Sequence, residues 1–82
     1  MRFIDIHKGM NGVDRPSFEE AHRKDTEIQG EEGVQFLHVW ADPATGTAFC
    51  LSEGPDKEAV LRVHAKAGHP TDEIYEVSIE AE

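Results

Sequence analysis

Residues 34–41 and 47–53 are two runs rich in β-branched and aromatic side chains, separated by the turn sequence Asp42-Pro43-Ala44-Thr45-Gly46. Such a pair reads as a β-hairpin. It sits in the middle of the chain, with one helical and one strand-like segment on each flank. Upstream, Phe3-Ile4-Asp5-Ile6-His7 alternates with period two, and the spacing predicts a helix over residues 17–29, capped near Asp14 and Pro16 and stopped by Gly30. Downstream, Gly54-Pro55-Asp56 breaks the sheet, a second helix follows over residues 56–67, and Gly68 and Pro70 end it. Residues 73–80 read as the last strand.

The order β-α-β-β-α-β leaves few topologies open. Crossovers of this kind are right-handed, which puts both helices on one face of the sheet. The arrangement is the split-βαβ pattern of the ferredoxin-like α+β fold, with the first strand between the third and the fourth. No repeat, low-complexity tract or linker interrupts it, so residues 1–82 form a single domain.

Alternation assigns side chains to two faces. Ile4, Ile6, Leu37, Val39, Phe49, Leu51, Tyr75, Val77 and Ile79 form one apolar set, expected to lie under the helices. The other set carries Phe3, Asp5, His7, Phe36, His38, Trp40, Ala48, Cys50, Ser52, Ile74, Glu76 and Ser78, and is expected to be the open face. With the turn centred on Ala44, His38 should oppose Cys50, Phe36 should oppose Ser52 and Trp40 should oppose Ala48. An open face bearing Phe3, Phe36 and Trp40 is too apolar for a small monomer. A chain of this length covers only about 60–65% of its extended surface. Face-to-face pairing into a homodimer, a dimeric α+β barrel, is therefore expected.

Charge narrows the partners. Eight basic against seventeen acidic residues give a formal charge of −9. That argues against nucleic acid and anionic membranes, and favours cations. The single cysteine excludes an intrachain disulfide. No apolar run approaches membrane-spanning length, and Met1 leads directly into strand-like alternation, so a cytoplasmic protein is expected.

Five histidines remain to be explained. Imidazole and carboxylate suit borderline divalent ions, yet His64 and His69 are the nearest pair along the chain, so no linear chelate exists. Any site must be assembled by folding. His7 closes the first strand, with solvation as its plain alternative. His22 lies three residues before Asp25 on one helical face, a ligand spacing that a solvated ion pair also explains. His38, beside Trp40, reads equally as an interface side chain. His64 lies at the edge of the stripe Ala59, Val60, Val63 and Ala67, where a backbone hydrogen bond is the simpler reading. His69, in the loop between Gly68 and Pro70, can neighbour His7. Cys50 reads as a small buried hydrophobe. The candidate metal set is therefore His7, His22, Asp25, His38, His64 and His69. No phosphate cradle or activated nucleophile is present, so no reaction is specified and no catalytic role is expected.

Several stretches resemble a small actinobacterial nickel-binding protein family with the ferredoxin-like fold, formerly a domain of unknown function. They are Phe3-Ile4-Asp5-Ile6-His7 with Gly9-Met10-Asn11-Gly12, Glu32-Gly33-Val34-Gln35-Phe36, and Trp40-Ala41-Asp42-Pro43. The likeness continues through Phe49-Cys50-Leu51-Ser52-Glu53-Gly54-Pro55, Val63-His64 and Gly68-His69-Pro70-Thr71-Asp72-Glu73. The resemblance implies a homodimer that binds Ni(II) at or near its surface, for sequestration or detoxification. Imidazole ligation would fail as pH falls through about 6.5. An alternative from the same architecture is a cofactor-free dimeric α+β barrel monooxygenase, or a small-molecule-binding protein, using the Phe36/Trp40 face.

Overall fold

The computed structural model describes residues 1–82. Four strands and two helices follow in the order β1 (Arg2–His7), α1 (Arg15–Ile28), β2 (Gln35–Asp42), β3 (Thr47–Glu53), α2 (Lys57–Lys66) and β4 (Glu73–Glu76). A 3-10 turn, Gln29–Glu32, extends the end of α1. The sheet is antiparallel in the order β2-β3-β1-β4, the ferredoxin-like α+β arrangement expected from the sequence. The last strand is shorter than its alternation suggests and stops at Glu76.

Local chemistry fixes where the helices begin. Asp14 and Asp56 both have extended backbone and accept hydrogen bonds from the amides of Ser17 and Ala59, so each satisfies a free N–H of the first turn. Pro16 costs nothing at the start of α1, because its missing N–H would have had no helical partner. On α2, Ala59, Val60 and Val63 are fully buried and form the core with Phe3, Val34, Phe36 and Cys50. The apolar stripe of α1 is thin, Phe18, Ala21 and Ile28 with Asp25 interrupting it, and Asp25 is the one residue of this helix that is buried.

The hairpin turn is built by Asp42, whose carboxylate accepts from the Ala44 amide and the Thr45 hydroxyl. Gly46 closes it with φ +72°, and a Cβ there would stand 2.5 Å from Oδ1 of Asn11. The Met10 amide donates to the Gly46 carbonyl at 2.9 Å, so the loop after β1 is fastened to the hairpin.

The structure corrects the assignment of faces. Phe3, Asp5 and His7 of β1 and Ala48, Cys50 and Ser52 of β3 lie under the helices, each 6% exposed or less. Ile4, Ile6, Phe49 and Leu51 point to the open side and are half-buried. Alternation tells which residues share a face but not which face is covered. Here His64 of α2 meets Asp5, and Asp5 and the Pro70 carbonyl meet His7, which apolar patterning alone does not reveal.

A β-bulge at Leu37 corrects the register as well. Phe36 opposes Ser52 as expected, but one extra residue then makes His38 oppose Leu51, Val39 oppose Cys50 and Trp40 oppose Phe49. His38 and Trp40 are therefore on the open face, and Phe36 is in the core on the other. The shared Phe36/Trp40 surface needed by a monooxygenase-like pocket does not form.

Candidate metal centre

Cys50, Asp5 and Ile74 lie in one row across β3, β1 and β4. Above that row, the stripe of α2 turns His64 inward, where it is completely buried. The helix ends at Lys66 with Ala67 as its cap, and the His69 amide donates to the His64 carbonyl at 3.1 Å, which folds the following loop back toward the site. The same loop is tied to the end of β1, because the Asp72 amide donates to the Ile6 carbonyl and the Lys8 amide donates to the Asp72 carboxylate. His7, His64 and His69 are thus gathered from three elements.

Their nitrogens form one continuous chain with two carboxylates. His7 Nδ1 lies 3.2 Å from the Pro70 carbonyl, and its Nε2 lies 3.1 Å from Asp5 Oδ1. Asp5 Oδ2 is 2.7 Å from His64 Nε2, and His64 Nδ1 is 2.9 Å from Asp25 Oδ1. Asp25 Oδ2 meets His69 Nε2 at 2.8 Å. His69 is the outlet of this chain, with its side chain 28% exposed. Cys50 Sγ stands with Asp5, His7 and His64, their ligand atoms all within 4.8 Å of one another; Asp25, His64 and His69 form a second such group.

This arrangement has a consequence for charge. A carbonyl oxygen can only accept, so His7 donates through Nδ1 and turns an accepting Nε2 toward the Asp5 carboxylate unless a further proton is added. Neutral His64 has one N–H but faces carboxylates on both sides, so it too calls for an added proton or a cation. Burial by itself would push the His64 pKa down. Hydrogen bonds to Asp25 and Asp5 outweigh burial and raise it to about 9. Burial would likewise raise both carboxyls, but hydrogen bonds from His64, then from His7 to Asp5 and from His69 to Asp25, hold them below the ordinary aspartate value. Burial, followed by the neighbouring Asp5 charge, pushes the Cys50 thiol far above its usual range. The cluster requires positive charge, and it offers the nitrogen and oxygen donors that accept nickel.

Of the six residues expected to ligate, His7, Asp25, His64 and His69 come together. His22 borders the site: with Met10, Asp25, Cys50 and His69 it lines a small cavity of about 50 Å³, and its buried Nδ1 has no hydrogen-bond partner. Its expected helical partner Asp25 turns instead to His64 and His69. His38 lies across the sheet, stacked on Trp40 with ring centroids 5.7 Å apart. A larger open cleft of about 420 Å³ runs between the start of α1 and β2, past Phe18, His22 and Trp40. Asp5 was missing from the candidate set. Its signal was a charged residue in mid-strand on the same face as Phe3 and His7, although only the tertiary structure supplies its partner on α2.

Residues 3–77 match a family model described as nickel responsive protein SCO4226-like. Among solved structures, the crystal structure of SCO4226 from Streptomyces coelicolor A3(2) is similar, with a TM-score of 0.98 and 49% sequence identity. The alignment covers 99% of this chain and 100% of that one. A search of curated proteins finds no match.

Proposed function

This chain belongs to the SCO4226-like nickel responsive protein family, and we propose from that premise that it binds Ni(II) as cargo rather than transforming a substrate. The Asp25, His64 and His69 group holds the ion, water completes an open coordination sphere on the exposed His69 side, and Asp5 fixes the His64 ring from behind. The observation that carries this reading is the meeting of these three ligand atoms within 4.8 Å in a cluster that calls for a cation. Hydrogen bonding of a ligand's far side, here Asp5 to His64, orients metal-binding histidines and raises their basicity. The acidic chain adds long-range attraction for cations.

The working unit is a homodimer in the cytoplasm, where it sequesters the ion. Support for pairing comes from the open sheet face. It presents Ile4, Ile6, Phe49 and Leu51 half-buried, with Trp40 and Tyr75 48% and 52% exposed. Such a surface favours a second apolar face over water. His38 lies on that face, so its place in this reading is at the dimer contact rather than on the ion.

Isothermal titration calorimetry of the metal-free protein with nickel chloride at pH 8 tests the proposal. Saturable binding that disappears in both Asp25→Asn and His69→Ala is expected. Unchanged heats in both variants would reject this site.

A further inference from the structure

We propose that the inner group of Asp5, His7, Cys50 and His64 takes a second divalent ion, and that the His64 ring bridges the two ions. This rests on the nickel reading above and extends it. The ring has one nitrogen in each group: Nδ1 faces Asp25 on the outer side and Nε2 faces Asp5 on the inner side. Each nitrogen is turned to a carboxylate rather than to backbone or solvent, so an ion that replaces the shared proton finds an imidazole nitrogen and a carboxylate oxygen together on either side.

Two further observations favour the inner position. His7 Nδ1 faces the Pro70 carbonyl, so Nε2, which faces Asp5, is the ring nitrogen that an ion beside Asp5 would take. A backbone carbonyl behind the far nitrogen is the usual support of a ligating histidine. The cavity of about 50 Å³ is bordered by His7 and Cys50 of the inner group and by Asp25 and His69 of the outer one, so ligands of both groups look into one space.

Charge closes without outside help. Two aspartates, a Cys50 thiolate and a His64 imidazolate together balance two divalent ions. The Cys50 thiol proton and both His64 ring protons, each shared with a carboxylate, leave to solvent as the ions enter, together with any proton on His7 Nε2. Donors differ between the halves. The inner position offers a thiolate and suits softer ions such as zinc or copper, and the outer one, with imidazoles, a carboxylate and water, suits nickel.

The test uses the intact protein loaded with Co(II) and, separately, with Cu(II). Metal content after dialysis, the near-ultraviolet thiolate-to-cobalt band and the copper electron paramagnetic resonance spectrum are recorded. Two ions per chain, a thiolate band and a spin-coupled copper pair are expected. Cys50→Ser, a near-isosteric change whose folding is checked by circular dichroism, should remove the band and the coupling and reduce the content to one ion. His69→Ala should weaken the outer ion and leave the thiolate band. One ion without a thiolate band overturns the bridge and leaves the nickel reading intact, and so do two ions with uncoupled spectra. No bound ion under any loading condition rejects both.

Discussion

The carboxylate of Asp25 on α1 meets Nδ1 of His64 on α2 at 2.9 Å, across 39 residues of sequence. Asp25 also meets His69 in the loop beyond α2, so one side chain of the first helix organises the far end of the second. The acid that looks like a blemish in an apolar stripe is the link between the helices and the candidate site.

Removing that link should be costly. Asp25→Ala leaves His64 facing one carboxylate instead of two in a buried setting, a loss of about 3–5 kcal/mol in such arrangements. Urea unfolding of the metal-free variant against wild type checks this. A loss below about 1 kcal/mol would mean that Asp25 is not an energetic anchor.

Stability of the metal-free protein should fall on the alkaline side. The folded pKa of His64 is raised from 6.5 to about 9, so its contribution is complete below pH 6.5 and is lost as pH rises through 9. The amount at stake is on the order of 3 kcal/mol. Asp5 and Asp25 act oppositely: both are lowered from 3.8, so their contribution is present above that value and disappears as pH falls through their folded values. Melting temperature should therefore peak in mildly acidic buffer and decline between pH 6.5 and 9, and a scan rising through that window would contradict the ion-paired state of His64.

Nickel held as proposed must displace protons from the same network. Its apparent affinity should keep rising up to about pH 9, well above the 6.5 expected for an ordinary histidine. Calorimetry in buffers of different ionisation enthalpy should show about one proton released per ion below pH 9, because Nδ1 of protonated His64 must lose its hydrogen to ligate. Heats independent of buffer identity would place binding elsewhere.

Pairing of subunits is open to a separate test. Phe49→Arg puts a charge in the middle of the open face without touching the helix side, and should shift the light-scattering mass from dimer to monomer while circular dichroism is unchanged. Each nickel ligand proposed here lies within one chain, so nickel binding should survive in the monomer.

The helix caps are a control away from the site. Asp56→Ala removes the acceptor for the Ala59 amide at 2.8 Å and should cost about 1 kcal/mol. Its effect on metal affinity should be negligible.

Much of the fold was legible because local chemistry dictates it. The cap at Asp14, the start of the second helix near Asp56, the Asp42 turn and the stripe of Ala59, Val60 and Val63 each act over a few residues. The site was half legible. The neighbourhood of His7 and His69 followed from topology, which brings the end of β1 beside the loop before β4. Asp5 and the depth of His64 did not follow, because each looks ill-placed until the other is seen 2.7 Å away. Reciprocal satisfaction of two buried polar groups leaves no period in the sequence.

The surplus residue at Leu37 carries a lesson for comparing related chains. Everything between it and the hairpin turn is assigned to its compartment by a parity that one insertion or deletion reverses, whereas no point substitution can. An alignment that misplaces a single gap in this strand would exchange Trp40 with Val39 between outside and inside, and would do so without lowering the apparent identity elsewhere. Ancestry in this segment is best judged by counting positions from Thr47 backward.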